Sequence, residues 1–448
     1  MSKQKGGLKL KNSSKRGFTP IYDMINSPSC SINLLTYKSL KGFMIYIDVS
    51  EDDSEYFSIQ GGKFTKLVTS FLLKFAVITP NNDEGLPTFK TIGKSSESKK
   101  SYFEEAKLQQ KIWKNSISGG RPEICPPVAN FSLFENNDSI DLLAFLQSKT
   151  TGDVKEVLDY LFDCVNVNKD YGIGVLTMPK VDNSITFGDF IYSPSRSNFY
   201  GITINTETKN DVFSSVASKI VRLFIDIGVI HFDLHSGNAL IFKTSDNQLN
   251  SLIIDFGRAS DLNSGVDDEY LTETEKQDII KEKNKFYNKL FSMSLDSPEA
   301  EKVKYCKEIL DYIADIDYDK NQQMFSFTDK NRYQMDWYDK FPTNPTVMAK
   351  VFDLVKQSVE LADRISMGPQ TIKRYESSGY LINFNADVNS FIVPFTSQPS
   401  GLPSAQVSPK CDADNPSFCV ISGGKKRTRK LKKNKKSRKN KKTKKRKY

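Results

Sequence analysis

Between Val229 and Gly257 the chain reads VIHFDLHSGNALIFKTSDNQLNSLIIDFG. Asp233, Asn238 five residues later, and Asp255 at the head of Asp255-Phe256-Gly257 all carry hard oxygen donors. Magnesium prefers such donors, usually one or two from the protein with phosphates and water completing the shell. Phosphoryl transfer asks for that metal on a polyphosphate and for one carboxylate beside the attacking hydroxyl. Two apolar runs, ALIF and SLIIDF, flank a polar loop and predict a hairpin. Such a hairpin gathers Asp233, Asn238 and Asp255 around one point.

A different chemistry competes for the same segment. His231 and His235 are the only histidines in the chain, and at i and i+4 on a helix they would suit zinc. Ser236-Gly237-Asn238 and the strand-like flanks argue against a helix there, and no HExxH glutamate lies between the two. A further bland reading is an Asp-containing turn beside a buried His.

These residues need elements to hold them. Upstream, GFMIYIDV (42–49) and SFLLKFAVI (70–78) are rich in β-branched and aromatic residues and predict two neighbouring strands. From Ser101 to Trp113, Phe103, Ala106, Leu108 and Ile112 recur at helical spacing after a Ser-rich stretch able to cap a helix. Two more short apolar runs follow, around ICPPVANFSLF and IGVLTMPKV, and then a helix-like stretch from Asp211 to Ile227. Beyond Gly257 the pattern predicts long amphipathic helices: one over Thr272 to Leu290, one entered at Ser297-Pro298-Glu299, and one in NPTVMAKVFDLVKQSVELADRI. Residues 384–424 read as a Pro- and Ser-containing linker ending at Gly423-Gly424.

Charge is strongly segregated. Residues 425–448 hold 17 of the 64 Lys and Arg and none of the 54 Asp and Glu, which leaves the remainder with 47 basic against 54 acidic residues. The net charge of +10 is therefore terminal, and any compositional case for nucleic acid rests on the tail alone. Like-charge repulsion and the missing apolar face predict a disordered tail. With 38% hydrophobic residues the body is able to bury a core. Six cysteines without CxxC spacing argue against a zinc module or a disulfide scaffold and point to a reducing, intracellular compartment. The absence of an apolar run of about 18 residues argues against a membrane span.

His231-x-Asp233-Leu-x-x-x-Asn238 followed by Asp255-Phe256-Gly257 resembles the catalytic loop and metal-binding motif of the protein-kinase-like superfamily. The resemblance covers roughly residues 35–380. It implies an α+β, bilobal fold: a small β-rich N-lobe over 31–180 after an extension of residues 1–30, and a larger helical C-lobe over 181–383. It implies ATP and Mg²⁺ as cofactors. Asp233 would then orient the acceptor hydroxyl and take its proton, and Asn238 and Asp255 would hold the metal. Lys74 would neutralise the α- and β-phosphates, with Glu105 as its ion-pair partner and Glu104 as the alternative one register away. Leu176 and Met178 would line the adenine pocket, and Gly42, aided by Ser39, would stand for the phosphate-cradling loop.

The chain departs from the pattern at three places. GxGxxGxV is reduced to Gly42, no APE motif follows the DFG, and His235 replaces the Lys typical of serine/threonine kinases. HxDLHxGN is similar to the loop of small-molecule phosphotransferases, and the chain as a whole looks like the kinase-like proteins of giant DNA viruses. The expected function is transfer of the ATP γ-phosphate to a hydroxyl, with Ser or Thr of a protein as first candidate. The alternatives are a small-molecule kinase, or a pseudokinase or scaffold with a nucleic-acid-binding tail. The expected location is host cytoplasm, viral factory or virion, with the nucleus an option from the basic tail.

Overall fold

The computed structural model describes residues 30–36, 43–48, 70–80, 86–87, 96–117, 121–193, 198–244, 246–264, 270–325, 344–364, 384–393 and 395. The chain divides into two units, Met1–Ser400 and Gly401–Tyr448, and every described residue belongs to the first. Gly42, Ser39 and the basic tail lie outside the described residues.

The described chain is a mixed α+β structure. Its strands and helices run β1 (Ser31–Thr36), β2 (Phe43–Asp48), β3 (Ser70–Thr79), β4 (Glu97–Ser98), α1 (Lys99–Ile117), β5 (Asn130–Phe134), α2 (Asn136–Ser148), α3 (Gly152–Val167) and β6 (Gly172–Pro179). There follow β7 (Ser184–Thr186), α4 (Phe187–Tyr192), β8 (Asn198–Phe199), β9 (Ile202–Thr203), α5 (Thr206–Arg222), β10 (Val229–Ile230), β11 (Ala239–Lys243), β12 (Leu249–Ile253) and β13 (Ser260–Asp261). Three long helices close the order: α6 (Glu273–Ser292), α7 (Glu299–Phe325) and α8 (Pro345–Arg364).

The main sheet has the order β1-β2-β3-β6-β5, antiparallel throughout, with β4 added in parallel to β3. Alternation decides what each face meets, because successive side chains of a strand point to opposite sides. Phe71, Leu73, Phe75 and Val77 of β3 pack toward α2 and α3, whereas Leu72, Ala76 and Ile78 pack toward α1. Covered on both faces, β3 is a nearly continuous apolar run. Lys74 is the exception, and it lies on the α1 side.

The α2–α3 pair was not anticipated from the sequence. Val154, Val157, Leu158, Leu161 and Val165 do repeat at helical spacing, and all are buried against the sheet. Fully burying such a side chain contributes about 1.5–3 kcal/mol relative to leaving it exposed.

The helical part is built on α5, whose N-terminus is capped by Asn205, the side chain accepting from Thr208 N–H. The predicted helix to Ile227 is present, but its last turn, Leu223–Ile227, is π-helical and stops at Gly228 with φ 79°. The predicted start at Thr272 is a capping box with Glu275, and α8 opens on Pro345, where the missing N–H costs nothing. Buried faces of α5, α7 and α8 join one core with β11 and β12.

Residues from 384 onward, expected to open a linker, are packed where described. Phe384 and Phe391 stack on each other and meet Phe103 and Phe131 at ring distances of 5.4–6.0 Å. Val393 N–H donates to Leu133 C=O at 3.0 Å, covering the β5 edge. Phe395 packs on the opposite face of the sheet, its ring 5.8 Å from that of Phe145 in α2, so aromatic residues of this Pro- and Ser-containing segment reach both faces.

Candidate active site

The predicted hairpin forms: β11 and β12 pair antiparallel, with Ala239 opposite Ile253. Its two open ends carry the polar residues. On one side Asp233 and Asn238 follow β10, and on the other Asp255 follows β12. Three contacts tie the two sides together. His231 Nε2 donates to Ile254 C=O at 2.9 Å, Ile254 N–H donates to Asn238 C=O at 2.9 Å, and the His231 and Phe256 rings lie 5.0 Å apart. His231 is buried, and burial lowers its pKa, so it is a neutral structural donor. The ring of His235 is turned back on its own loop, Nδ1 accepting from Gly237 N–H at 3.0 Å. His231 and His235 do not share a helix, as a zinc pair at i and i+4 would need.

The backbone is strained on either side of this joint. Phe232 has φ 55° and Asp255 φ 65°, left-handed values that cost a non-glycine residue roughly 1–3 kcal/mol. The strain turns Asp255 toward β3. Lys74 Nζ lies 2.6 Å from Glu105 Oε1 and 3.1 Å from Asp255 Oδ1, with Lys74 and Glu105 both buried. Burial works to lower the Lys74 ammonium's pKa, but the charges of Asp255 and Glu105 outweigh it and hold it well above its usual value. The same ammonium depresses the Asp255 carboxyl. Lys74 and Asp255 are thus held in their charged forms, the ammonium against the carboxylates. Glu104 faces outward and pairs with Lys107 at 3.1 Å, so the register that meets Lys74 is that of Glu105.

Asn238 Nδ2 donates to Asp233 C=O at 2.8 Å, which fixes the amide so that its oxygen points away from that carbonyl. The Asp255 side chain retains 39% of its surface exposed. A carboxylate and an amide oxygen on the two ends of one hairpin fit a Mg²⁺ whose remaining ligands are phosphates and water. Among the described residues there is no group of three or more His, Cys, Asp or Glu able to hold a metal without such help.

Leu176 faces Lys74 in the β3–β6 register, and Met178 faces Leu72. Leu176 is fully buried in the core between the sheet and α1, as an ordinary interior strand residue is, and Met178 is in contact with Gln109 at 3.8 Å.

Arg258 joins the site through a direct contact, and Asp317 lies near enough to feel its charges. Arg258, directly after Gly257, places Nη1 3.3 Å from Asp233 Oδ1. Asp317, from α7, is 1% exposed; burial and the charge of Asp233 raise its pKa to about 8, against the pull of Arg258. The signal for Asp317 was present: Cys306, Ile309, Leu310 and Ile313 form a buried stripe, and Asp317 continues it one turn on.

The α1 helix that carries Glu105 is fastened at its far end. Arg222 donates to Ser116 C=O at 3.0 Å and Pro122 C=O at 2.9 Å, Arg121 donates to Asn115 C=O at 2.5 Å, and Asp226 sits 2.5 Å from Arg121. Guanidinium groups at a helix C-terminus satisfy its last carbonyls and complement its dipole. Lys111 pairs with Asp261 of β13, tying the middle of α1 to the chain just past Arg258.

No protein-family model matches this chain, and no curated protein matches it.

Proposed function

We propose that this protein is an ATP- and Mg²⁺-dependent phosphotransferase with a bilobal, protein-kinase-like fold, the sheet with α1 forming the small lobe and the helices after β7 the large one. The observation that carries the reading is the ion triad Glu105–Lys74–Asp255, which joins strand β3, helix α1 and the end of β12 at one point. Lys74 and Glu105 precede the loop in the order that the resemblance expects, and Asp255 follows Asp233 and Asn238.

In this reading Lys74 holds the α- and β-phosphates, with Glu105 directing its ammonium. Mg²⁺, when bound, would supply neutralisation of the polyphosphate charge. Asn238 and Asp255 hold the ion, and Asp233 accepts the proton of the attacking hydroxyl. The adenine would lie along β6 beside Lys74, next to Met178, with the fully buried Leu176 as interior support. The acceptor proposed for first testing is a Ser or Thr hydroxyl of a protein, and a small-molecule hydroxyl is the second class.

A pseudokinase or scaffold is the competing reading. It is favoured by the loss of the glycine-rich loop, whose remnant is Gly42, and by the 17 basic residues after position 424 that would engage nucleic acid. Incubation with ATP labelled at the γ-phosphate and mixed acceptors separates the two. The enzyme reading expects a labelled product from the wild type that Asp233→Asn does not give. No transfer by the wild type, with ATP binding intact, supports the pseudokinase.

A further inference from the structure

Helix α1 reaches Lys74 twice. Glu105 takes its side chain, and one turn earlier Tyr102 takes its backbone: the phenol O–H donates to Lys74 C=O at 2.7 Å and accepts from Leu176 N–H at 3.0 Å. Residues three apart on a helix share a face, so both grips belong to one rigid surface. The two backbone groups that Tyr102 bridges belong to a single cross-strand pair, Lys74 opposite Leu176. A helix side chain is therefore set into the ladder between β3 and β6 at the position of the phosphate-binding lysine.

The fold is built to admit this ring. Tyr102 is fully buried, and its ring lies 5.4 Å from that of Phe131. A Cβ added at Gly174 would come within 2.3 Å of the Tyr102 ring, so residue 174 has to lack a side chain. Burial pushes the phenol well above its ordinary pKa, which keeps the hydroxyl a donor to Lys74 C=O.

We infer that Tyr102 is a positioning residue for Lys74, a clamp that makes the β3–β6 pair and helix α1 move as one body, so that the ammonium stays aimed at the phosphates. The inference rests on the reading of Lys74 as the phosphate ligand. It adds a second link between helix and strand that does not depend on the Lys74–Glu105 ion pair. Because the clamp holds the phosphate ligand Lys74 on one side and only the backbone of the fully buried Leu176 on the other, its loss is felt more by the phosphate end of a nucleotide than by the base.

Two variants of the full chain test it. Tyr102→Phe keeps the ring and removes the hydroxyl, and Gly174→Ala displaces the ring. Binding of MgATP and of adenosine is measured by calorimetry, and exchange of the Leu176 amide by hydrogen–deuterium exchange. Tyr102→Phe is expected to lower MgATP affinity about tenfold, the effect of one lost hydrogen bond at the lysine, while adenosine changes less than about twofold. Leu176 exchange is expected to quicken in both variants with no ligand present. Equal losses for the two ligands, or no loss, overturn the positioning role, since a general loosening of the fold would treat them alike. Wild-type protein that binds no ATP overturns the nucleotide reading instead, and unchanged Leu176 exchange in Tyr102→Phe overturns the clamp whatever the ligand result.

Discussion

Lys74 Nζ lies 3.1 Å from Asp255 Oδ1 across 181 residues of sequence, so the strand lysine and the proposed metal carboxylate are already charge-paired. Polyphosphate and Mg²⁺ would enter between them, the phosphates taking the ammonium and the metal taking the carboxylate. Asp255→Asn is expected to lower Mg²⁺-dependent ATP affinity about 10- to 100-fold, the loss of one charge-assisted interaction. Calorimetry with and without Mg²⁺ reads this. An unchanged Mg²⁺ dependence would remove Asp255 from the metal.

Arg258 holds one oxygen of Asp233, the residue proposed to face the acceptor hydroxyl. Arg258→Gln is expected to slow labelled-phosphate transfer about tenfold or more while leaving ATP affinity within about twofold, because the contact lies on the acceptor side. Arg258→Lys restores charge without the guanidinium fork and is expected to fall in between. Equal losses in ATP binding and transfer would show that Arg258 serves the fold and not Asp233.

Arg121, Arg222 and Asp226 form a buried group in which one carboxylate serves two guanidinium ions. Asp226→Asn leaves both cations without that charge and is expected to cost about 3–5 kcal/mol of stability. Urea denaturation measures it. A loss under about 1 kcal/mol would mean that solvent reaches the group.

Asp317 makes stability depend on pH. Its folded-state pKa is raised to about 8, far above the value near 3.9 of an unfolded aspartate. Between those values the native state keeps a proton that the unfolded chain releases, so this residue makes stability fall as pH rises from about 4 to about 8. Asp317→Asn removes that slope. The variant's unfolding free energy from urea denaturation is expected to gain on the wild type as pH rises, by up to about 1.4 kcal/mol per pH unit, with Asp233 and Arg258 the neighbouring charges that modulate it. Parallel pH profiles of the two proteins would refute the assignment.

Deleting residues 422–448 removes all 17 tail cations. The thermal midpoint and any phosphotransfer are expected to stay unchanged, and salt-sensitive retention on DNA or RNA to disappear. Each phosphate that the tail neutralises releases counterions, so affinity should fall steeply as salt rises. Retention with the same salt slope after truncation would assign nucleic-acid binding to the body.

The sequence by itself determined the features that are local. The hairpin of ALIF and SLIIDF, the helix start at Thr272 and the α1 helix follow from periodicity and capping within one or two turns of chain, and the structure contains each of them. Segregation of charge was equally legible, being a property of composition. What remained open was which side chains meet. Glu104 and Glu105 stand about 100° apart around one helix, and only the docking of α1 on the sheet decides that Glu105 faces Lys74. Arg258 follows the Asp255-Phe256-Gly257 motif, but its contact with Asp233 is a matter of folding, Asp317 feels the charge of Asp233 from a helix far along the chain, and Tyr102 reads as one more aromatic residue of an amphipathic helix until β3 and β6 are paired above it. Periodicity specifies the face that an element buries. The partner beneath that face is chosen by packing among elements far apart in the chain, because close contact rewards complementary shape and charge irrespective of sequence separation.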